Sequence, residues 1–234
     1  MNHKLPPPSP SRFFSPCRAA GWRALIALGM SLLPMTYQAQ AATTIYDFAA
    51  DFSTTNGNPN GAWSYGYKPL DGQSKPTGGF VLFTLNGIIP NAGRAWGYNN
   101  GNFEGGGVVW MNEMSYGQYN IAPGHLSLEG DPANTTTARW TAPTSGDIDL
   151  VVTFGGSSAA RYIMLNNTLL AETDYQVNSL HVYAGDTIDV TAYGAPNSGN
   201  TQADITITII PEPATLTLLG AGTLGLIFRR KRKV

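Results

Sequence analysis

Few side chains in this 234-residue chain have the types and spacing that catalysis needs. An active site requires a nucleophile with a base and an orienting group, or several metal ligands. The only cysteine is Cys17, and neither His125 nor His181 lies in a ligand motif. His125 is close to Glu129 and Asp131, a triplet that could bind a metal, although a solvated polar loop explains it better. We therefore expect a protein that is not an enzyme and has no catalytic residue, metal site or cofactor.

Aromatic residues indicate a function more strongly than the histidines do. Sugar rings stack on exposed aromatic faces, while neighbouring amide and carboxyl groups bind the sugar hydroxyls. Trp63 and Tyr65 alternate on one predicted strand face, Trp96 and Tyr98 lie on another, and Asn99 follows directly. These four aromatic residues are the candidate glycan-binding residues. The alternative is that their rings form the core or cover the edge of the fold.

Acidic residues could hold a structural calcium ion, which binds carboxylate and carbonyl oxygens. Asp47, Asp51 and Asp186 lie near the ends of predicted strands, and Asp204 lies on one. No contiguous loop rich in aspartate has the spacing of a calcium-binding motif. A solvated acidic surface is the simpler interpretation, and structural calcium stays an open alternative.

Composition and charge exclude several classes of protein. With 27 Gly, 16 Pro and only 12% charged residues, the chain is neither a coiled coil nor a helix bundle. The net charge is −1, but Ala42–Pro213 holds five basic residues and all 15 acidic ones, a net charge of −10. Such a surface repels phosphate backbones, so we expect no nucleic-acid partner.

The elements that position these residues are predicted to be β-strands. Alternate residues are apolar at Ile148, Leu150 and Val152, and again at Ile205 and Ile207, as in half-buried strands. We predict an all-β fold, an antiparallel β-sandwich resembling a jelly roll, over residues 42–210. Trp140 shares a strand face with two alanines and is predicted to be core. The predicted strands are 44–50, 63–67, 80–85, 94–98, 107–114, 137–142, 147–154, 160–165, 168–172, 177–183, 188–192 and 205–209.

The N-terminus has the pattern of an export signal. A basic, proline-rich segment precedes a ten-residue apolar run at 24–33, and Ala39-Gln40-Ala41 supplies small residues for cleavage. We predict a signal peptide at 1–41. Cys17 precedes the apolar run, so the chain does not fit a lipoprotein, and the mature chain would contain no cysteine.

The C-terminus has three parts in a fixed order. Pro211, Glu212 and Pro213 come first, a 15-residue apolar stretch follows, and a basic cluster ends the chain. As a helix the stretch would be about 22 Å long against a hydrocarbon core of about 30 Å, so we expect a single transmembrane helix that holds the protein weakly. The basic cluster is predicted to stay in the cytoplasm. Its residues are Arg229, Arg230, Lys231, Arg232 and Lys233.

This tail, residues 211–234, resembles the PEP-CTERM sorting domain of Gram-negative bacteria. The resemblance implies that exosortase, a membrane cysteine transpeptidase, is a partner that cleaves the chain near Pro211–Pro213. It also implies an association with exopolysaccharide and biofilm. Residues 138–146 and 182–188, with an opening at 58–67, resemble a jelly-roll module of exported bacterial proteins, which is similar in outline to carbohydrate-binding jelly rolls.

Together these observations predict a protein held transiently in the inner membrane and then released to the cell surface or extracellular matrix. Its domain at 42–210 is predicted to be a non-catalytic glycan-binding module with exopolysaccharide as a partner. The alternative is a structural matrix protein that associates with itself. Exposed aromatic residues beside amides would favour the first function, and buried aromatic residues with an unpaired edge strand would favour the second.

Overall fold

The computed structural model describes residues 42–98, 103, 107–156, 160–194 and 200–210. The predicted signal peptide and the predicted sorting tail with its transmembrane helix lie outside these residues. No helix within the described ranges is long and apolar enough to cross a membrane.

The described residues form strands joined by turns and loops, and every strand pair is antiparallel. The prediction of an antiparallel all-β fold is confirmed, while its assignment as a jelly roll stays a prediction. In chain order the strands are β1 (Thr44–Asp47), β2 (Trp63–Pro69), β3 (Val81–Leu82), β4 (Leu85–Ile89), β5 (Gly93–Gly97), β6 (Val108–Met111), β7 (Leu126–Glu129), β8 (Asn134–Thr141), β9 (Gly146–Gly156), β10 (Ala160–Leu165), β11 (Thr168–Ala171), β12 (Tyr175–Val182), β13 (Thr187–Tyr193) and β14 (Asn200–Ile210).

The strands form two sheets. The large sheet has the order β12-β9-β14-β7-β6-β5-β4, and β1 also pairs with β14. The small sheet has the order β11-β10-β13-β8-β2-β3. The longest pairing joins β9 to β14, from Asp147 opposite Ile210 to Gly156 opposite Thr201. This pairing brings together the two strands that showed the clearest apolar alternation in the sequence.

One apolar core contains residues of both sheets, which makes the fold sandwich-like. Trp140 of the small sheet is fully buried with Leu150 and Ile207 of the large sheet, so the prediction that Trp140 is core is confirmed. Successive residues of a strand face opposite sides of a sheet. The apolar residues of β9 and β14 therefore share one side of each strand, and that side points into this core. A second, smaller cluster forms around Trp110 and Ile121.

Two strands, β4 and β7, were not among the predicted ones. The predicted strand 80–85 is instead a crossing between the sheets, because β3 belongs to the small sheet and β4 to the large one. Phe83, between them, is buried, and its backbone N–H donates to the carbonyl of Tyr65 at 2.9 Å. Gly66 of β2 permits this approach, since a Cβ there would collide with the Val81 carbonyl.

Candidate functional site

A cleft opens beside the loop at 48–62, which joins β1 to β2. Carboxylates shape the start of this loop. Asp47 Oδ1 accepts hydrogen bonds from the backbone N–H groups of Ala49 at 3.0 Å and Ala50 at 2.9 Å. Asp51 Oδ2 accepts a hydrogen bond from the backbone N–H of Asp47 at 3.1 Å. The turn after β1 is therefore fixed by two side chains that were candidates for calcium binding.

Asparagines fix the rest of the loop. Asn58 Oδ1 accepts from the backbone N–H of Tyr65 at 2.9 Å, and its Nδ2 donates to the Tyr65 carbonyl at 2.7 Å. The Asn58 amide thus bonds the edge of β2 as a neighbouring strand would. Asn60 Nδ2 donates to the Asp51 carbonyl at 2.7 Å, which ties the two ends of the loop together.

The cleft has a volume of about 590 Å³, within the range of about 300–1,000 Å³ typical of ligand sites. Its walls combine polar groups of the loop with aromatic rings and one arginine of β5. They are formed by Ile45, Tyr46, Ala50, Asp51, Phe52, Ser53, Asn56, Asn60, Gly61, Ala62, Trp63 and Arg94.

The predicted glycan-binding aromatics do not form an exposed stacking surface, and that expectation is wrong. Trp63 is 1% exposed, Trp96 is 5% exposed and Tyr65 is fully buried. Tyr98 is half-buried, with its ring centroid 5.0 Å from that of Tyr67 and 5.8 Å from that of Phe83. The alternation on β2 was predicted correctly, but its aromatic face points into the core because it carries the largest apolar area on the strand.

The indole N–H groups of two buried tryptophans bond the loop. Trp63 Nε1 donates to Asp51 Oδ2 at 3.0 Å, and Trp96 Nε1 donates to the Ser53 carbonyl at 2.7 Å. Buried indoles usually find such partners. These tryptophans therefore hold the loop that forms the cleft, and Trp63 lines its wall.

The hydroxyl of Tyr65 is buried beside the Ser53 backbone. Burial raises the pKa of this phenol well above its ordinary value, and the charge of Asp51 adds to the effect. The Ser53 backbone and the charge of Arg94 act in the opposite direction. The phenol is therefore neutral at physiological pH, and its ring centroid lies 5.1 Å from that of Phe52, which lines the cleft.

Arg94 is the only basic residue among those that line the cleft. Its Nε is 3.1 Å from Glu113 Oε1, an ion pair that is partly exposed on both sides. Nη2 is 3.4 Å from the sulfur of Met111, and the guanidinium lies 5.8 Å from the centre of the Phe52 ring. Glu113 thus offsets much of the positive charge that Arg94 brings to the cleft.

The other candidate residues are engaged in local contacts. His125 Nδ1 is 2.6 Å from Asp204 Oδ1, whereas Asp131 accepts hydrogen bonds from its own turn at Ala133 and Asn134. The structure therefore does not bring His125, Glu129 and Asp131 together as one ligand set. Asp186 accepts hydrogen bonds from the Tyr183 backbone and the Asn166 amide, and these lower the pKa of its carboxyl.

The described part of the chain contains no cluster of three or more His, Cys, Asp and Glu residues placed to hold a metal ion. Structural calcium, which also uses carbonyl oxygens, stays a prediction.

Residues 210–233 match the family model of the PEP-CTERM protein-sorting motif. The chain therefore carries a PEP-CTERM sorting motif. The match contains Pro211–Pro213 and the basic cluster from Arg229 to Lys233, the residues predicted to form the sorting signal. It identifies an exosortase-sorted surface protein, as predicted, and agrees with export and a transient membrane anchor. No curated protein and no solved structure matches the chain.

This PEP-CTERM protein also contains a buried ionic group that the sequence analysis missed. Lys68 is fully buried, and its Nζ is 2.8 Å from Asp189 Oδ2 and 2.6 Å from Asn167 Oδ1. Arg139 binds both oxygens of Asp189, at 2.7 and 2.9 Å. Phe80 covers Arg139, with the guanidinium 4.1 Å from the ring centre. The only sequence signal was a lysine within an otherwise uncharged strand.

Proposed function

We propose that this PEP-CTERM protein is a structural component of the cell surface or of an exopolysaccharide and biofilm matrix. After exosortase has processed the tail, the domain at 42–210 associates with other copies of itself. The observation that carries this proposal is an uncharged, apolar edge strand at the end of the large sheet. The burial of Trp63, Tyr65 and Trp96 supports it as well, because it removes the stacking surface on which the glycan-binding alternative depended.

The edge strand is β4. Within the described residues β4 pairs only with β5, so the backbone N–H and C=O groups on its other side have no strand partner. Residues 80–89 contain no charged side chain and no proline. Ile88 is 74% exposed, and Leu85 of the same strand and Val81 and Leu82 of β3 are exposed too. Strands with these properties are templates for pairing with another chain.

Other edges of the two sheets carry features that oppose pairing. The pairing of β12 with β9 shifts register between Val177 and Leu180, and Ser179 there has a φ of 57°. The edge strands of the small sheet are short, with four residues in β11 and two in β3, and β1, which pairs only with β14 in the large sheet, has four. Bulges and short edge strands are devices that prevent edge-to-edge association. The five residues of β4 pair with β5 without a register shift and form a longer edge than β3 or β11, so β4 is the edge that we assign to self-association.

Charge also favours β4 as the contact. Two copies that each carry a net charge of −10 over Ala42–Pro213 repel each other over most of their surfaces. An uncharged strand brings no like charges into the contact. When identical strands pair antiparallel about a two-fold axis, the same patch of each copy is buried, which closes a dimer without other contacts.

The test compares two lysine substitutions in the mature, exported protein by light scattering over a range of concentrations. Ile88→Lys places a charge on the β4 edge, and Tyr183→Lys places the same charge on a residue that is 65% exposed outside every strand. We expect dimers for the unsubstituted protein and for Tyr183→Lys, and monomers for Ile88→Lys. A monomeric unsubstituted protein, or an Ile88→Lys protein that still associates, would contradict the proposal.

A further inference from the structure

We propose that the cleft beside the 48–62 loop binds an uncharged sugar unit through its amide and carboxylate groups. This function is separate from self-association through β4 and does not depend on it. It also differs from stacking on the four predicted aromatic residues, because the contacts come from hydrogen-bonding groups of the loop.

The loop presents hydrogen-bonding groups that are still available to a ligand. Asp51 Oδ2 and the Asp51 carbonyl are used within the loop, as is Asn60 Nδ2. Among the described residues, no hydrogen bond reaches Asp51 Oδ1, Asn60 Oδ1 or the exposed side chain of Asn56. The cleft therefore offers two oxygen acceptors and a complete amide. A sugar hydroxyl both donates and accepts, so neighbouring hydroxyls of one ring match this mixture.

Two of the three residues that carry the available groups, Asp51 and Asn60, are held in place before any ligand arrives. Asp51 is fixed by the Trp63 indole and the Asp47 backbone, and Asn60 is fixed by its bond to the Asp51 carbonyl. Asn60 and Trp63 also exchange two backbone hydrogen bonds, at 2.8 and 3.0 Å. Groups fixed in this way lose little conformational entropy when a ligand binds.

The charge of the cleft argues for an uncharged ligand. Its walls carry one carboxylate, Asp51, and one guanidinium, Arg94. Glu113 pairs with Arg94 at 3.1 Å and so competes with any acidic group of a ligand. An anionic sugar would meet two carboxylates for one arginine, whereas a neutral sugar keeps all its hydrogen bonds without that repulsion.

The experiment titrates the ¹⁵N-labelled mature protein with the methyl glycosides of glucose, galactose and mannose, and with methyl glucuronide as the anionic probe. The readout is the NMR shifts of the Trp63 indole and of the Asn56 and Asn60 side-chain amides. We expect at least one neutral glycoside to shift all three signals and the glucuronide to bind more weakly.

Two substitutions locate the site. Asn56 is exposed and makes no contact that folding needs, so Asn56→Ala should leave the spectrum otherwise unchanged and weaken binding about fivefold, the effect of one hydrogen bond. The matched control is Asn178→Ala, an exposed amide on β12 of the large sheet, which should bind as the unsubstituted protein does.

Three results would overturn the proposal. The first is the absence of any shift of the Trp63, Asn56 and Asn60 signals up to the solubility limit of every neutral glycoside. The second is undiminished binding by Asn56→Ala, which would place the sugar elsewhere. The third is tighter binding of the glucuronide, which would mean that Arg94 rather than the amides determines the ligand.

Discussion

Trp63→Ala is expected to destabilise the domain at least as much as Trp140→Ala does. Both rings lie in the same core, where Trp63 is 1% exposed and Trp140 is fully buried. They lie directly opposite each other in the β2–β8 pairing. If Trp63 were an exposed ligand-binding ring, its removal would leave the fold intact. The two substitutions therefore separate a core role from a surface role.

The size of the effect follows from area and hydrogen bonding. A buried tryptophan removes about 150–250 Å² from water, worth about 4–6 kcal/mol at about 25 cal/mol per Å². Measured losses for Trp→Ala in a core are about 3–5 kcal/mol. Trp63 also loses its bond to Asp51, worth about 1 kcal/mol, whereas the indole N–H of Trp140 has no partner to lose. Trp63→Ala should therefore cost about 4–6 kcal/mol, a large part of a typical total of about 5–15 kcal/mol.

The assay is urea unfolding of residues 42–210, a range that includes both core clusters. Tyr183→Ala is the control, because its ring is exposed and should change the free energy of unfolding by less than about 0.5 kcal/mol. A Trp63→Ala domain as stable as the Tyr183→Ala domain would refute the reasoning. It would also restore the prediction that Trp63 is available to stack on a sugar.

Three further predictions concern other parts of the chain. Asp189→Asn leaves Lys68 buried without a counter-charge and should cost about 3–5 kcal/mol in urea unfolding, whereas an unchanged midpoint would mean that the group is hydrated. Burial raises the pKa of Glu129, so its ionisation opposes folding, and the stability that the protonated form contributes is lost as pH rises through that pKa. Glu129→Gln should therefore be more stable than the unsubstituted domain at neutral pH, and the difference should vanish below the ordinary glutamate pKa of about 4.3. Intact-mass analysis of the protein from an exosortase-bearing host should find no residues from Arg229 to Lys233, and their retention would show a lasting anchor.

The fold class could be predicted from the sequence because β9 and β14 alternate clearly between apolar and polar residues. The strand β4 could not be predicted, because Leu85-Asn86-Gly87 has no such alternation and its pairing with β5 depends on the rest of the sheet. Periodicity showed that Trp63 and Tyr65 share a face, but it does not tell whether that face is buried, and the structure buries residues on both faces of β2.

The candidate site was only partly predictable for a related reason. Asp51 and Trp63 were both singled out, but 12 positions separate them, and only the folded loop brings the indole to the carboxylate. The sequence around Asn56 and Asn60 predicts only a turn. The cleft that they line forms because the loop folds back on itself, which the sequence does not indicate. Lys68 and Asp189 are 121 positions apart, so nothing local indicated a buried pair.

The two proposals respond differently to salt, which allows each to be tested while the other stands. Copies with a net charge of −10 repel each other, and salt screens this repulsion, since the Debye length falls from about 30 Å at 0.01 M to about 10 Å at 0.1 M. Association through the uncharged β4 edge should therefore strengthen as salt rises over this range. Binding of a neutral glycoside in the cleft changes no charge and should keep the same dissociation constant. Association that weakens with salt would mean that opposite charges hold the copies together, which residues 80–89 cannot provide because they have none.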